Sequence, residues 1–143
     1  MSDIEGGCAC GAIRFKIQGE PMGGGVCHCR SCQYATGGPP NYVLLAPKGG
    51  FSVTKGQPKV HTTTAESGNR VDRAFCPECG TPLYTAIDGD TLPFIPVKVG
   101  ALDDPSSFTP AMHLFMDEAQ PWHLVHPGAM QFPRMPPAPP TAG

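Results

Sequence analysis

The sequence predicts a mainly β fold cross-linked by metal. Its apolar residues fall in short β-branched or aromatic runs broken by turn residues. With 18 Gly and 18 Pro among 143 residues, little uninterrupted length is left for a helix. Seven cysteines gather in three clusters, C-A-C, C-H-C-R-S-C and C-P-E-C, a density that a small domain uses for cross-linking.

Ala12 to Ile17 alternates apolar and polar residues and predicts a half-buried strand. Gly19 to Gly25 reads as a loop, and Val26 leads into the second cluster. Asn41 to Ala46, Phe51 to Thr54 and Lys59 to Thr64 form a meander, separated by Pro47-Lys48-Gly49-Gly50 and Gly56-Gln57-Pro58. Arg70 to Phe75, Leu83 to Ile87 and Leu92 to Val99 continue it, with Pro93 and Pro96 pointing to an edge or a bulge in the last run. Ala111 to Met116 is a further strand. Only Ser106 to Phe108 and Glu118 to Trp122 offer even one turn of helix. Residues 1–126 read as one zinc-binding domain, and the proline-rich tail 127–143 as extended or disordered.

Composition excludes several classes. The net charge is -2 with ten Lys plus Arg, and thiolate ligands would make it more negative, so nucleic acid is not an expected partner. No apolar run approaches the roughly 20 residues of a membrane span. The opening M-S-D-I-E-G-G resembles neither a secretory signal nor a transit peptide, so a cytoplasmic location is expected. In such a compartment an odd number of cysteines favours metal over disulfides.

Two pairs and one triplet can be partitioned in more than one way. Cys8, Cys10, Cys76 and Cys79 are assigned to one closed four-thiolate zinc, because C-x-C and C-x-x-C each turn two sulfurs to one centre. The rival partition joins Cys29 and Cys32 with Cys76 and Cys79, and it orphans Cys27. A thioredoxin-like reading of C-P-E-C needs a following helix, which Gly80 and Pro82 discourage. Under the first partition Cys27, Cys29 and Cys32 remain as three ligands around an exchangeable position, the pattern of a catalytic zinc. Three thiolates suit soft sulfur ligands better than hydrolysis. A fourth ligand from His28, His61, Asp72 or another chain would instead close the site.

G-G-C-A-C-G-A-I-R-F, C-H-C-R-S-C, F-C-P-E-C-G-T-P-L and G-A-L-D-D-P-S-S-F-T-P, followed by H-L-F and Pro121-Trp122, recur together over about residues 5–125. With these segments the chain resembles the glutathione-dependent formaldehyde-activating enzyme family, also called centromere-protein-V-like. The resemblance implies an Mss4-like fold of short curved antiparallel sheets with two zinc-binding clusters. Cys8, Cys10, Cys76 and Cys79 would hold a structural zinc, and Cys27, Cys29 and Cys32 a catalytic one. It also implies a carbon-sulfur lyase that joins or cleaves a small thiol and a small aldehyde, as in S-hydroxymethylglutathione. Family members often carry arginine directly after the third cysteine of the cluster, whereas here Gln33 follows and Arg30 lies inside the knuckle.

Arg30 and Tyr34 are the candidates for holding the substrate, against an ordinary reading of Arg30 as a solvated loop charge. Tyr34, Phe94 and Trp122 could line a pocket, although core is the commoner place for aromatics. His28 is expected in the scaffold or at the surface, with support of the metal ligands or a proton relay as the alternative. Arg70 and Asp72 share a strand face and read as a surface ion pair. No Ser-His-Asp arrangement emerges, and acid and base candidates are scarce. A zinc-stabilised scaffold module acting on a protein partner is the rival function. The sequence does not distinguish a monomer from a homo-oligomer.

Overall fold

The computed structural model describes residues 3–65, 68–87 and 92–136; residues 137–143 of the proline-rich tail lie outside the described residues. In chain order the strands and single α-helix are β1 (Ile4–Gly7), β2 (Arg14–Ile17), β3 (Gly24–Cys27), α1 (Arg30–Thr36), β4 (Asn41–Pro47), β5 (Phe51–Lys55), β6 (Lys59–Thr64), β7 (Arg70–Phe75), β8 (Pro82–Ile87), β9 (Phe94–Lys98), β10 (Met112–Leu114) and β11 (Met130–Gln131). The fold is mainly β, as expected. Its residues form two compact units, one from 3–24 with 43–109 and one from 25–42 with 110–136.

In the first unit β1, β2 and β5 form a three-stranded sheet, and β4, β9, β8, β7 and β6 lie side by side in that order. Alternation in R-F-K-I sends Phe15 and Ile17 into the core, where they are 1% and 0% exposed. Phe51 bridges Phe15 and Tyr84 at ring distances of 5.6 and 4.7 Å. Gly6 in β1 lies so close to the Ala101 carbonyl and the Phe15 ring that a Cβ would sit 2.3 and 2.5 Å from them. Only glycine fits there, which fixes the strand that delivers Cys8. Arg14 and Asp103 clamp the same region with two hydrogen bonds of 2.9 and 2.5 Å. At the C-terminal end of β7 the register with β8 shifts between Ala74 and Phe75, a bulge that turns the chain into Cys76.

Of the edge or bulge that its prolines suggested, β9 does not take the edge, because it lies between β4 and β8. Among the described residues five pairs join it to β4, whereas Tyr84 and Val97 alone pair it with β8. Pro96 has no N–H to donate, and the sparse ladder is the form in which an internal strand accommodates it. Arg70 and Asp72 make the expected ion pair at 2.8 Å, and Thr62 also donates to Asp72.

In the second unit β3 pairs in parallel with β10, and β10 in parallel with β11. The tail therefore begins as an ordered strand, and the Phe132 N–H continues it by donating to the His113 carbonyl at 2.9 Å. The helix α1 was not expected from the sequence. Cys29 caps it, with its sulfur accepting the Cys32 N–H, and Gly37 at φ 87° ends it in the left-handed conformation that favours glycine. No helix among the described residues is long and apolar enough to cross a membrane.

Candidate metal centres

Cys8, Cys10, Cys76 and Cys79 converge, with all four sulfurs within 4.8 Å of one another. The Cys8 and Cys10 sulfurs are 3.6 Å apart, and those of Cys10 and Cys76 are 3.8 Å apart. Thiolates at 2.3 Å from a tetrahedral zinc stand about 3.8 Å apart, so this set fits that ion and is too open for disulfides. All seven cysteines are free. The disulfide alternative and the rival partition are both inconsistent with this grouping.

Local backbone geometry prepares the four sulfurs. The Ile13 N–H donates to Cys8 Sγ at 3.1 Å, and the Glu78 and Cys79 N–H groups donate to Cys76 Sγ at 3.4 and 3.5 Å. C-P-E-C forms a turn rather than a helix start, closed by the Gly80 N–H on the Cys76 carbonyl at 2.9 Å. That removes the helix N-terminus a thioredoxin-like thiol needs. Thr81 ties the two cysteine loops together: its hydroxyl accepts the Ala9 N–H and donates to Cys79 Sγ, each at 3.1 Å. The Thr81 hydroxyl, followed by the backbone N–H groups of Thr81 and Cys10, holds the Cys79 thiol down at about 5.

Cys27, Cys29 and Cys32 form the second group, again with sulfurs within 4.8 Å. Cys27 ends β3, Cys29 caps α1 and Cys32 lies in its first turn. The Cys32 N–H donates to Cys29 Sγ at 3.2 Å, and Asn41 Nδ2 donates to Cys32 Sγ at 3.6 Å. Cys32 is buried while Cys27 and Cys29 are half-buried, so the cluster has an accessible side. The neighbouring Cys29 and Cys32, together with burial, push the Cys27 thiol strongly upward. Three thiolates this close repel one another, and a divalent cation relieves that repulsion. Among the described residues no His, Cys, Asp or Glu adds a fourth donor to this group. Of the candidates, His28 has both ring nitrogens hydrogen-bonded, Asp72 is held by Arg70 and Thr62, and His61 is exposed on β6.

His28 is fully buried, which rules out the surface reading. Its Nε2 lies 2.7 Å from His113 Nδ1, and its Nδ1 lies 3.0 Å from His123 Nδ1. His123 Nε2 meets the Gly38 carbonyl at 3.1 Å, and His113 Nε2 meets the His126 N–H at 3.1 Å. Burial, and then the two neighbouring rings, push His28 down to about 4; burial also lowers His113. Sequence reasoning missed this histidine chain. The available signal was the crowding of three histidines into residues 113–126.

Gln33 is buried, donating to the carbonyls of His28 at 2.7 Å and Glu118 at 3.0 Å, so it ties α1 to the cysteine loop. Arg30 lies on the outer side, donating to the Gln33 amide oxygen and stacking 5.0 Å from the Tyr34 ring centre. Among the described residues no carboxylate pairs with its guanidinium, although Glu118 accepts its backbone N–H at 2.8 Å. Tyr34 and Trp122 are 80% and 61% exposed, so neither belongs to the core. Phe94 lies on β9 in the first unit, lining a cleft with Arg70 and Asp72.

Known proteins resemble this chain in sequence and in fold. A curated relative from Schizosaccharomyces pombe, named an uncharacterized lyase, is 30% identical over 94 residues, 66% of this chain; the match spans 65% of the relative's own length. A crystal structure of a Rhodobacter sphaeroides protein shares the fold, with a TM-score of 0.53 at 19% identity, covering 69% of this chain and 87% of that one. The family model described as glutathione-dependent formaldehyde-activating enzyme matches residues 3–118. With that match extending over both cysteine clusters, the chain belongs to the glutathione-dependent formaldehyde-activating enzyme family.

Proposed function

We propose that this protein is a zinc-dependent carbon-sulfur lyase that forms or cleaves a small thiol–aldehyde adduct such as S-hydroxymethylglutathione. The carrying observation is the group of three convergent sulfurs with an accessible side and no fourth donor among the described residues. Cys27, Cys29 and Cys32 would hold the catalytic zinc, and Cys8, Cys10, Cys76 and Cys79 the structural one. When bound by three thiolates, zinc supplies an exchangeable Lewis-acidic position that suits a soft sulfur ligand.

The chain's own residues orient the reactants. The Arg30 guanidinium, presented on the Tyr34 ring and bonded among the described residues to the neutral Gln33 amide, suits a substrate carboxylate. Gln33 and the Cys29 cap fix the loop that carries the three sulfurs. In synthesis the thiol gives up its proton, its sulfur bonds to the aldehyde carbon, and the carbonyl oxygen becomes a hydroxyl. Cleavage reverses each change, with no further co-reactant. Holding two small reactants together provides most of the acceleration through proximity and orientation.

The test measures zinc per chain after anaerobic purification, alongside turnover with a panel of thiols and aldehydes. Two zinc ions are expected, one of them accessible to exogenous thiol, with turnover lost in Cys29→Ser. A single tightly held zinc with metal in excess, or two that both resist thiols, refutes the open site. Absence of turnover with every pair favours the scaffold-module reading.

A further inference from the structure

The buried imidazoles of His28, His113 and His123 have a direction that their backbone partners determine. At one end the His126 N–H is a fixed donor aimed at His113 Nε2, 3.1 Å away, so that nitrogen accepts. A neutral His113 then carries its proton on Nδ1 and donates to His28 Nε2 at 2.7 Å. At the other end the Gln120 N–H donates to His123 Nδ1 at 3.2 Å, so this nitrogen accepts too, and His123 donates from Nε2 to the Gly38 carbonyl at 3.1 Å. His28 is left with Nδ1–H as donor to His123 and Nε2 as acceptor from His113. Both ends lead independently to the same assignment. Reversing the chain would set two N–H groups against each other at His126 and again at Gln120.

We propose that His113 and His123 are positioning residues, which through this one-way hydrogen-bond chain lock the tautomer and orientation of His28 and so fix the backbone between Cys27 and Cys29. The chain starts at a backbone amide and ends at a backbone carbonyl, groups that neither release nor take up protons near neutral pH, so it braces the site and does not conduct protons. The brace is local to the cluster: His28 lies between two of its three cysteines, His113 lies on β10 beside β3, and Gly38 follows the end of α1. Tyr42 extends the packing at the His126 end, its hydroxyl 2.7 Å from His126 Nε2. The inference rests on reading Cys27, Cys29 and Cys32 as a metal site, and not on the lyase reaction.

Nitrogen-15 NMR of the full zinc-loaded chain tests the brace directly. Protons are expected on Nδ1 of His28 and His113 and on Nε2 of His123. A reversed tautomer or a doubly protonated ring at neutral pH overturns the proposal. A second measurement follows cobalt(II) in the protein by its thiolate charge-transfer and ligand-field bands. His123→Leu is expected to weaken cobalt binding at the three-sulfur cluster about 10- to 100-fold and to change its ligand-field bands. The four-sulfur cluster should be unaffected, and His123→Gln, which keeps a donor and an acceptor, should recover part of the loss. Unchanged affinity and bands in His123→Leu would refute the positioning role; should that variant fail to fold, the tautomer pattern of the native chain still decides. Correct tautomers in a protein without turnover would leave the brace standing and reject the lyase reading alone.

Discussion

Cys76→Ser should destabilise the protein far more than Cys29→Ser, because the two clusters close loops of very different length. A metal shared by Cys10 and Cys76 joins positions 66 residues apart. Loop-closure entropy, growing as (3/2)RT ln n, makes that constraint worth about 3.7 kcal/mol, before the constant term, relative to an unlinked chain. Cys27 and Cys32 are separated by five positions, for which the same expression gives about 1.4 kcal/mol. The difference of about 2 kcal/mol is a large part of the roughly 5–15 kcal/mol that stabilises a typical domain. Cys76 is also 0% exposed, and its sulfur accepts two backbone N–H groups, so serine leaves a smaller and harder acceptor in a site shaped for sulfur. Thermal melts of both variants, with zinc quantified on the same samples, provide the assay. We expect Cys76→Ser to melt about 10–20 °C below the parent or to aggregate, and Cys29→Ser to fold with reduced zinc content. Equal losses in the two variants would refute the assignment of a structural role to the four-sulfur cluster alone.

Three further perturbations probe other parts of the structure. A Cβ on Gly50 would stand 2.0 Å from the Gln18 carbonyl oxygen, so Gly50→Ala must push the backbone apart at the end of β2 and should cost about 1–3 kcal/mol in chemical denaturation; an unchanged midpoint would contradict that contact. Burial raises the phenols of Tyr42 and Tyr84, so on alkaline titration the unfolded chain releases these protons first, and their contribution to stability, full below about 10, is lost as pH rises beyond it. A native phenolate absorbance curve superimposable on the denatured one would refute this. Arg30→Gln should raise KM about tenfold for a carboxylate-bearing thiol while leaving kcat and the KM of an uncharged thiol nearly unchanged; an equal effect on both thiols would remove Arg30 from substrate recognition.

The parts of the structure visible in the sequence were those where residue identity itself carries the geometry. Seven cysteines at fixed spacings defined two clusters, and β-branched runs between Gly and Pro defined most strands. β1 was missed because I-E-G-G lacks an alternating pattern; its place comes from the glycine that allows close approach to Ala101 and Phe15. α1 was missed because R-S-C-Q-Y-A-T has no apolar period, and it starts from a cysteine sulfur rather than a usual capping oxygen. The histidine chain joins His28 to partners 85 and 95 residues away, a separation that no local pattern encodes. Tyr34 and Trp122 defied the usual placement of aromatics by staying exposed in the unit that carries the three-sulfur cluster.

The interleaving of the two clusters along the chain creates a sorting problem on the ribosome. Five thiols, from Cys8 to Cys32, are synthesised before Cys76 and Cys79 exist. During that interval Cys8, Cys10 and two of the triplet could satisfy a tetrahedral zinc in the wrong combination. Each group, however, includes a thiol held by an amide a few residues away, Cys8 by Ile13 and Cys29 by Cys32. Loops of this size close in well under a microsecond, far faster than residues are added at about 5–20 per second. Both contacts are local, so each of these small loops can form before C-P-E-C emerges.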